Sequence, residues 1–227
     1  MSRLVYRVLF TTFCLLFPWM LRAQLSLADW VAEDASDAVQ IRVSADTMEI
    51  SSPQGLTLWY RPRLTGDYTI TYRICMPMCG SAYDRLSDMN CFWAANDPAS
   101  PDNLFARSEW RKGIFPRYKT LTLFYVGYGG NNNSTTRFRK YFGATETTAD
   151  AEARPVIHEY TDSAHLLSPA VWYEVQIRVS HDTTTYAING EELFRLPIVP
   201  REGDGHFGLR LLENHVLFTD FRISQPE

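Results

Sequence analysis

The chain has 227 residues, a formal net charge of −4 and an aromatic content of 14%. A mildly acidic chain with no basic block argues against a nucleic-acid partner. It leaves an acidic polysaccharide open, because a local arginine cluster can meet that need.

The N-terminus carries Arg3 and Arg7, an apolar run from Val8 to Met20, and then Leu21-Arg22-Ala23-Gln24. A positive start, a short apolar stretch and a small residue before a polar one predict a secretory signal peptide over residues 1–23, cut after Ala23. A spanning anchor is the alternative. It would need about 20 apolar residues, and Pro18 and Arg22 interrupt the run. The expected product is periplasmic or secreted, with no membrane insertion after cleavage. Residues 24–227 then form a single domain, long enough for a core without disulfide staples.

Downstream of residue 24 no segment sustains a helical period. Short alternating strands broken by turn signals run through the chain. Asp29–Glu33 opens it, and Val39–Val43 and Thr47–Ile50 form a hairpin. Gln54-Gly55 turns into Leu56–Tyr60, and Thr65–Asp67 into Tyr68–Ile74. A strand over Asp88–Ala94 is followed by an irregular stretch, residues 96–118, of the length that ordered functional loops have. Next come Leu121–Val126, a Gly/Asn turn, and Thr136–Phe142. Residues 143–154 are polar and poor in large apolars, which predicts a mobile loop. Val156–Tyr160 is a short strand, and Trp172–Val179 with Thr184–Ile188 a hairpin. Asn189-Gly190 favours a tight turn into Glu192–Leu196, and Gly205–Leu211 and Val216–Ile223 close the chain. About a dozen strands predict an all-β, antiparallel two-sheet β-sandwich.

Three cysteines follow the leader: Cys75, Cys79 and Cys91. An odd count leaves at least one outside an intramolecular pair. Cys75 and Cys79 could close a turn, or all three could be small buried apolar residues, the reading favoured for Cys91. Zinc is not expected, since no histidine lies nearby at ligand spacing. Calcium is possible, but no dense acidic loop calls for it. The expectation is therefore no metal and no cofactor.

Period-two alternation separates two faces. Asp88, Asn90 and Phe92 share one, and Met89, Cys91 and Trp93 the other. Arg137, Arg139 and Tyr141 are displayed, while Phe138 and Phe142 face the core with Lys140 between them. If the polar faces line one concave sheet, Asp88, Asn90, Tyr125, Arg137, Arg139, Tyr141 and Arg210 meet there. Arginine forks match uronate carboxylates. A tyrosine whose pKa a nearby cation lowers can move a proton. These residue types suit β-elimination from a uronate, with Asp88, Tyr125, Arg137 and Arg139 as catalytic candidates. Hydrolysis would instead need two carboxylates, Asp88 with Glu159 or Glu213. Arg85, Asn90, Trp110, Asn131, Asn133, Tyr141, Glu159 and Arg210 are the substrate-binding candidates. Trp110 stands out as a sugar platform, whereas Trp59, Trp93 and Trp172 look like core. His158 and His215 look like surface or hydrogen-bonded residues.

Two groups of motifs carry a resemblance. The run Arg85-Leu86-Ser87-Asp88-x-Asn90-x-Phe92-Trp93, the run Tyr125 to Arg139 with its Gly129-Gly130-Asn131 turn, and Leu166-Leu167 preceded by Glu159-Tyr160 resemble a secreted Bacteroidetes domain-of-unknown-function family, number 6250. The closing blocks Tyr186-x-Ile188-Asn189-Gly190-x-x-Leu193-Phe194, Gly205-x-Phe207-Gly208-Leu209-Arg210 and Phe218-x-Asp220-Phe221-Arg222-Ile223 resemble concanavalin A-like lectin/glucanase jelly rolls. The resemblance implies a concanavalin-like fold and a polysaccharide-utilisation setting, with a polysaccharide or oligosaccharide as partner. It transfers no catalytic residue. A lyase or hydrolase and a non-catalytic carbohydrate-binding module both remain open.

Overall fold

A computed structural model describes residues 25–226. The expected leader lies outside the described residues. Twelve strands form one continuous antiparallel ladder. They are β1 (Trp30–Asp34), β2 (Gln40–Ser44), β3 (Thr47–Tyr60), β4 (Tyr68–Cys75), β5 (Met89–Asn96), β6 (Thr122–Gly129), β7 (Thr135–Phe142), β8 (Val156–Tyr160), β9 (Trp172–Val179), β10 (Thr183–Ile188), β11 (Glu191–Pro197) and β12 (His206–Ser224).

The ladder becomes a sandwich because its two longest strands change layers midway. The first part of β12 pairs Gly208 to Leu212 with β3 from Trp59 to Gly55, and the second part pairs Asn214 to Thr219 with Ser52 to Thr47. The register slips between Leu212 and Asn214, where Glu213 takes a left-handed φ of +50°. A bulge of this kind lets a strand turn a corner between packed sheets. One layer runs β2, the first half of β3, the second half of β12, then β4, β9, β10 and β11. The other runs β1, the second half of β3, the first half of β12, then β5, β6, β7 and β8. The sequence predicts separate strands at Thr47–Ile50 and Leu56–Tyr60, and again at Gly205–Leu211 and Val216–Ile223. Each pair is one bent strand, since Gly55 and Glu213 mark bends rather than reversals.

The main core lies between the layers. Met48, Ile50, Ile70, Tyr72, Val175 and Ile177 of one layer meet Leu58, Cys91, Trp93, Phe124, Val126, Phe138 and Leu209 of the other. Met89, Cys91 and Trp93 do turn inward, and Phe92 joins a second cluster on the opposite face. Phe138 is buried as expected, but Phe142 is exposed at the strand end. There Lys140 lies near the Phe124 and Phe142 rings and pairs with Glu202. Trp59 and Trp93 are core, whereas Trp172 is only half-buried, with Arg73 over its ring.

The second cluster is what positions the site. Trp59, Phe92, Tyr118, Leu123, Tyr125 and Tyr141 pack on the outer face of the second layer, beneath residues 97–121. That segment, expected to be irregular, folds into short helical turns at Leu104–Arg107, Ser108–Arg111 and Phe115–Thr120. They are held by an ion cluster no periodicity could show. Arg111, wholly buried, donates to Glu33 Oε1 at 2.8 Å, to Asp97 Oδ2 at 3.0 Å and to the Leu104 carbonyl at 2.6 Å. Tyr118 and Ser108 donate to the same Glu33 carboxylate at 2.5 and 2.7 Å. The loop meets the sheet at a glycine pair. A Cβ on Gly113, whose φ is +67°, would sit 2.2 Å from the Gly55 carbonyl oxygen. No helix among the described residues is long and apolar enough to cross a membrane.

Candidate ligand-binding site

Period-two geometry on β5, β6, β7 and β12 sends Asn90, Tyr125, Arg137, Arg139 and Arg210 to the outer face of the second layer. The registers make Asn90 a neighbour of both Arg210 and Gly127, and Tyr125 a neighbour of Arg139. Tyr125, Arg137 and Arg139, together with Arg85, Asp88, Phe115 and Arg154, border an open cavity of about 640 Å³. A smaller recess of about 210 Å³ shares its lining and extends to Gly55, Asn90 and Arg210. The polar side chains expected to share one sheet face do so, except that Tyr141, expected to be displayed, is buried in the cluster beneath it and lines neither cavity.

Asp88 caps the inner rim. It has a left-handed φ of +62° just before β5. Arg85 Nη1 donates to its Oδ2 at 2.6 Å, Ser87 Oγ donates to the same oxygen, and Asn90 Nδ2 donates to Oδ1 at 3.3 Å. Arg85 also donates to the Leu212 carbonyl and to Asn132 Oδ1, so it braces the rim as much as it faces the cavity. The Asn90 amide, by donating to Asp88, turns its Oδ1 the other way. That oxygen is buried and has no hydrogen-bond partner among the described residues. A buried acceptor without a donor costs about 1–3 kcal/mol.

The arginines differ in how they are compensated. Arg137 pairs with Glu159 directly across the β7–β8 ladder, which makes Glu159 a partner of Arg137 first and a ligand contact second. Arg154 pairs with Asp150, lies over the Phe115 ring at 4.7 Å and donates to the Tyr141 hydroxyl at 3.4 Å. Arg139 donates to the Arg154 carbonyl at 2.6 Å, and Arg210 to the Gly113 carbonyl at 2.8 Å. Among the described residues neither Arg139 nor Arg210 forms an ion pair. Burial holds the Arg210 guanidinium below its ordinary pKa, Tyr118 and Tyr125 opposing. Burial lowers that of Arg139 too, and Arg154 and Arg137 add to the effect against Tyr141. An incoming anion would relieve both.

The tyrosines correct the expectation of an activated base. Burial raises Tyr125 well above 10, Tyr141 and Asp88 adding to it, and Arg210 and Arg139 only partly oppose this. Burial likewise raises Tyr141, with Arg154, Arg139 and Arg210 opposing. Both phenols stay protonated near neutrality, and the Tyr141 hydroxyl accepts from Arg154. Tyr125 owes its place to Gly127, where a Cβ would lie 2.6 Å from the Tyr125 hydroxyl.

Several expectations change. Trp110 does not border the cavity; Arg107 and Arg117 lie over its ring at 4.2 and 5.4 Å, so it is no free platform. Asn133 is structural, its amide donating to the Leu167 carbonyl and accepting from the Leu167 N–H. Asn131 stays at the cavity edge, donating to Thr135 Oγ1. Residues 143–154 are not featureless: a helical turn at Asp150–Ala153 delivers Arg154. Sequence reasoning passed over Arg154 and Phe115, one in a segment poor in apolar residues and the other outside the strand pattern.

Fold and site together define a concanavalin- or galectin-type β-sandwich with an arginine-rich cavity on one outer sheet face. The chain belongs to the family described as Domain of unknown function (DUF6250), whose model matches residues 50–221. Among solved structures it is similar to a Bacillus subtilis protein of unknown function with a galectin-like fold (TM-score 0.68, 17% identity, 88% of this chain and 90% of that one). It is also similar to the carbohydrate binding module CBM66 from Bacillus subtilis (TM-score 0.54, 12% identity, 87% and 96% covered). A third is the VIP36 exoplasmic/lumenal domain in its Ca2+/Man3GlcNAc-bound form (TM-score 0.52, 8% identity, 89% and 86% covered). At these identities the likeness is one of fold. No curated protein matches the chain.

Proposed function

We propose that the cavity binds an acidic glycan, with a sugar carboxylate on Arg139 and Arg210 and a sugar hydroxyl donating to Asn90. The observation that carries this is the unpartnered buried Asn90 Oδ1 in the same recess as Arg210, which has no ion pair among the described residues. A uronate supplies both missing partners, an anion for the guanidinium and a hydroxyl for the amide oxygen. Phe115 and Tyr125 offer apolar ring surface beside them. The glycan-binding names of two fold relatives support the substrate class.

Binding without cleavage fits these residues better than β-elimination or hydrolysis. Elimination needs a base for the proton α to the carboxylate. The buried tyrosines are held protonated, and Asp88 is already engaged by Arg85, Ser87 and Asn90. Hydrolysis needs two available carboxylates, whereas Glu159 is paired with Arg137 and Asp150 with Arg154. The setting proposed is periplasmic or secreted, after cleavage behind Ala23.

The test is titration with polygalacturonate and alginate against neutral glucans, while following absorbance from unsaturated uronates and the release of reducing ends. Saturable, salt-sensitive binding to the acidic polymers with no product is expected. Product formation would replace binding with lyase or hydrolase action. Equal affinity for neutral glucans would remove the carboxylate from the reading.

A further inference from the structure

The sequence leaves Cys79 without a histidine at ligand spacing, but β12 brings one from far along the chain. His215 follows the bulge where β12 changes layers. Its Nδ1 lies 2.8 Å from Asp84 Oδ1. Cys79 Sγ completes the group: the ligand atoms of Cys79, Asp84 and His215 all lie within 4.8 Å of one another. We infer that these three side chains form a binding site for a divalent ion of the zinc type.

The donor set selects the ion. A thiolate, an imidazole and a carboxylate suit borderline-soft zinc, whereas calcium and magnesium prefer all-oxygen shells. With Zn–N and Zn–O of about 2.0–2.2 Å and Zn–S of about 2.3 Å, tetrahedral donors stand roughly 3.3–3.7 Å apart. Binding requires the His215–Asp84 hydrogen bond to open by about half an ångström. The ion enters where that hydrogen bond was. Cys79 gives up its proton to solvent, the imidazole binds as the neutral tautomer with its proton on Nε2, and a water fills the fourth position.

The supporting groups are already placed. His215 Nε2 is 3.0 Å from Glu49 Oε1. With a metal on Nδ1, this becomes the carboxylate–histidine–metal arrangement that fixes tautomer and ring orientation. Asp84 Oδ2 accepts from the backbone N–H groups of Gly80 and Ser81 at 2.6 and 3.0 Å, which aims Oδ1 at the site. The imidazole is buried while Cys79 is exposed, so an ion has a path in from solvent. Cys79 is an exposed free thiol, neither closing a turn with Cys75 nor buried as an apolar residue. Burial raises Cys75 and pushes the Cys91 thiol up to about 12, which leaves Cys79 as the accessible sulfur. Because Asp84 adjoins Arg85, an ion here would also pin the segment that braces Asp88.

The experiment uses the full mature chain, reduced and stripped with a chelator, then titrated with zinc against a chromophoric competitor and separately with cobalt(II). One equivalent of zinc, a rise in Tm with zinc, and a thiolate-to-cobalt charge-transfer band are expected. Cys79→Ser should abolish the band and weaken zinc at least tenfold, while Cys75→Ser leaves both intact. Cys79 is exposed, so Cys79→Ser tests the site without risking the fold; His215→Gln is read only where its Tm holds. Absence of stoichiometric binding by the wild type would overturn the site. So would a cobalt band that survives in Cys79→Ser, or a Cys75–Cys79 disulfide in the secreted protein.

Discussion

Replacing Arg111 with methionine removes the one cation that touches both Glu33 and Asp97, and all three side chains are fully shielded from solvent. Asp97 keeps the partly exposed Arg107 at 3.3 Å and the Ala99 N–H. Glu33 keeps only the hydroxyls of Tyr118 and Ser108. Removing one member of a buried ion pair costs about 3–5 kcal/mol, because the other charge stays buried without compensation. The lost bond to the Leu104 carbonyl adds to this, so about 4 kcal/mol is a conservative figure. With a urea m-value of about 2.5 kcal/mol/M, the unfolding midpoint should fall by about 1.6 M at constant m. Glu33→Gln in the same background should restore part of the loss, since the stranded charge is then gone. Folded Arg111→Met protein should also bind ligand more weakly, because the loop carries Phe115 over the cavity. A midpoint within about 0.3 M of wild type would refute the reasoning. So would a double variant less stable than Arg111→Met alone.

Gly127→Ala places a methyl 2.6 Å from the Tyr125 hydroxyl; it should displace that ring and weaken acidic-glycan binding at least about tenfold, at an overpacking cost of about 1–3 kcal/mol. Unchanged affinity in an isothermal titration would show that Tyr125 is not at the ligand. Burial lowers the His206 pKa, against a hydrogen bond that its imidazole donates to the Tyr60 carbonyl and with a push from Arg63. Its stabilising contribution is therefore present above the unfolded value near 6.5 and lost as pH falls through the lower folded one. Urea midpoints should drop as pH falls below about 6.5, and His206→Asn should flatten that drop; identical profiles would contradict it. N-terminal sequencing of the exported protein should begin at Gln24, and an intact Met1 would refute cleavage after Ala23.

Period-two alternation was enough to separate Asn90 and Phe92 from Cys91 and Trp93, and Arg139 and Tyr141 from Phe138. It holds wherever a strand has one face on the core. It failed at Phe142, where the strand ends, and at Gln54-Gly55, where a bend resembles a turn. Arg111 was invisible because it sits in a single helical turn without a repeat, and a buried arginine looks like a surface one until its partners are known. Arg154 hid among small polar residues. The His215–Asp84 contact joins positions 131 residues apart, beyond any spacing rule for metal ligands. Tyr125 lies on the expected face, but its pKa moves the other way: the sequence shows the cations around it, and only packing shows that burial outweighs them.

The most direct test of the cavity as an acidic-glycan site is the affinity of Arg139→Ala for polygalacturonate, next to the wild type. Arg139 is only half-buried, and its one hydrogen-bond partner among the described residues is a carbonyl. The fold should therefore survive, with Tm within a few degrees of wild type. Loss of a charge-assisted contact worth about 1.5–3 kcal/mol predicts affinity reduced roughly ten- to hundredfold. Wild-type affinity in a folded Arg139→Ala variant would contradict the account.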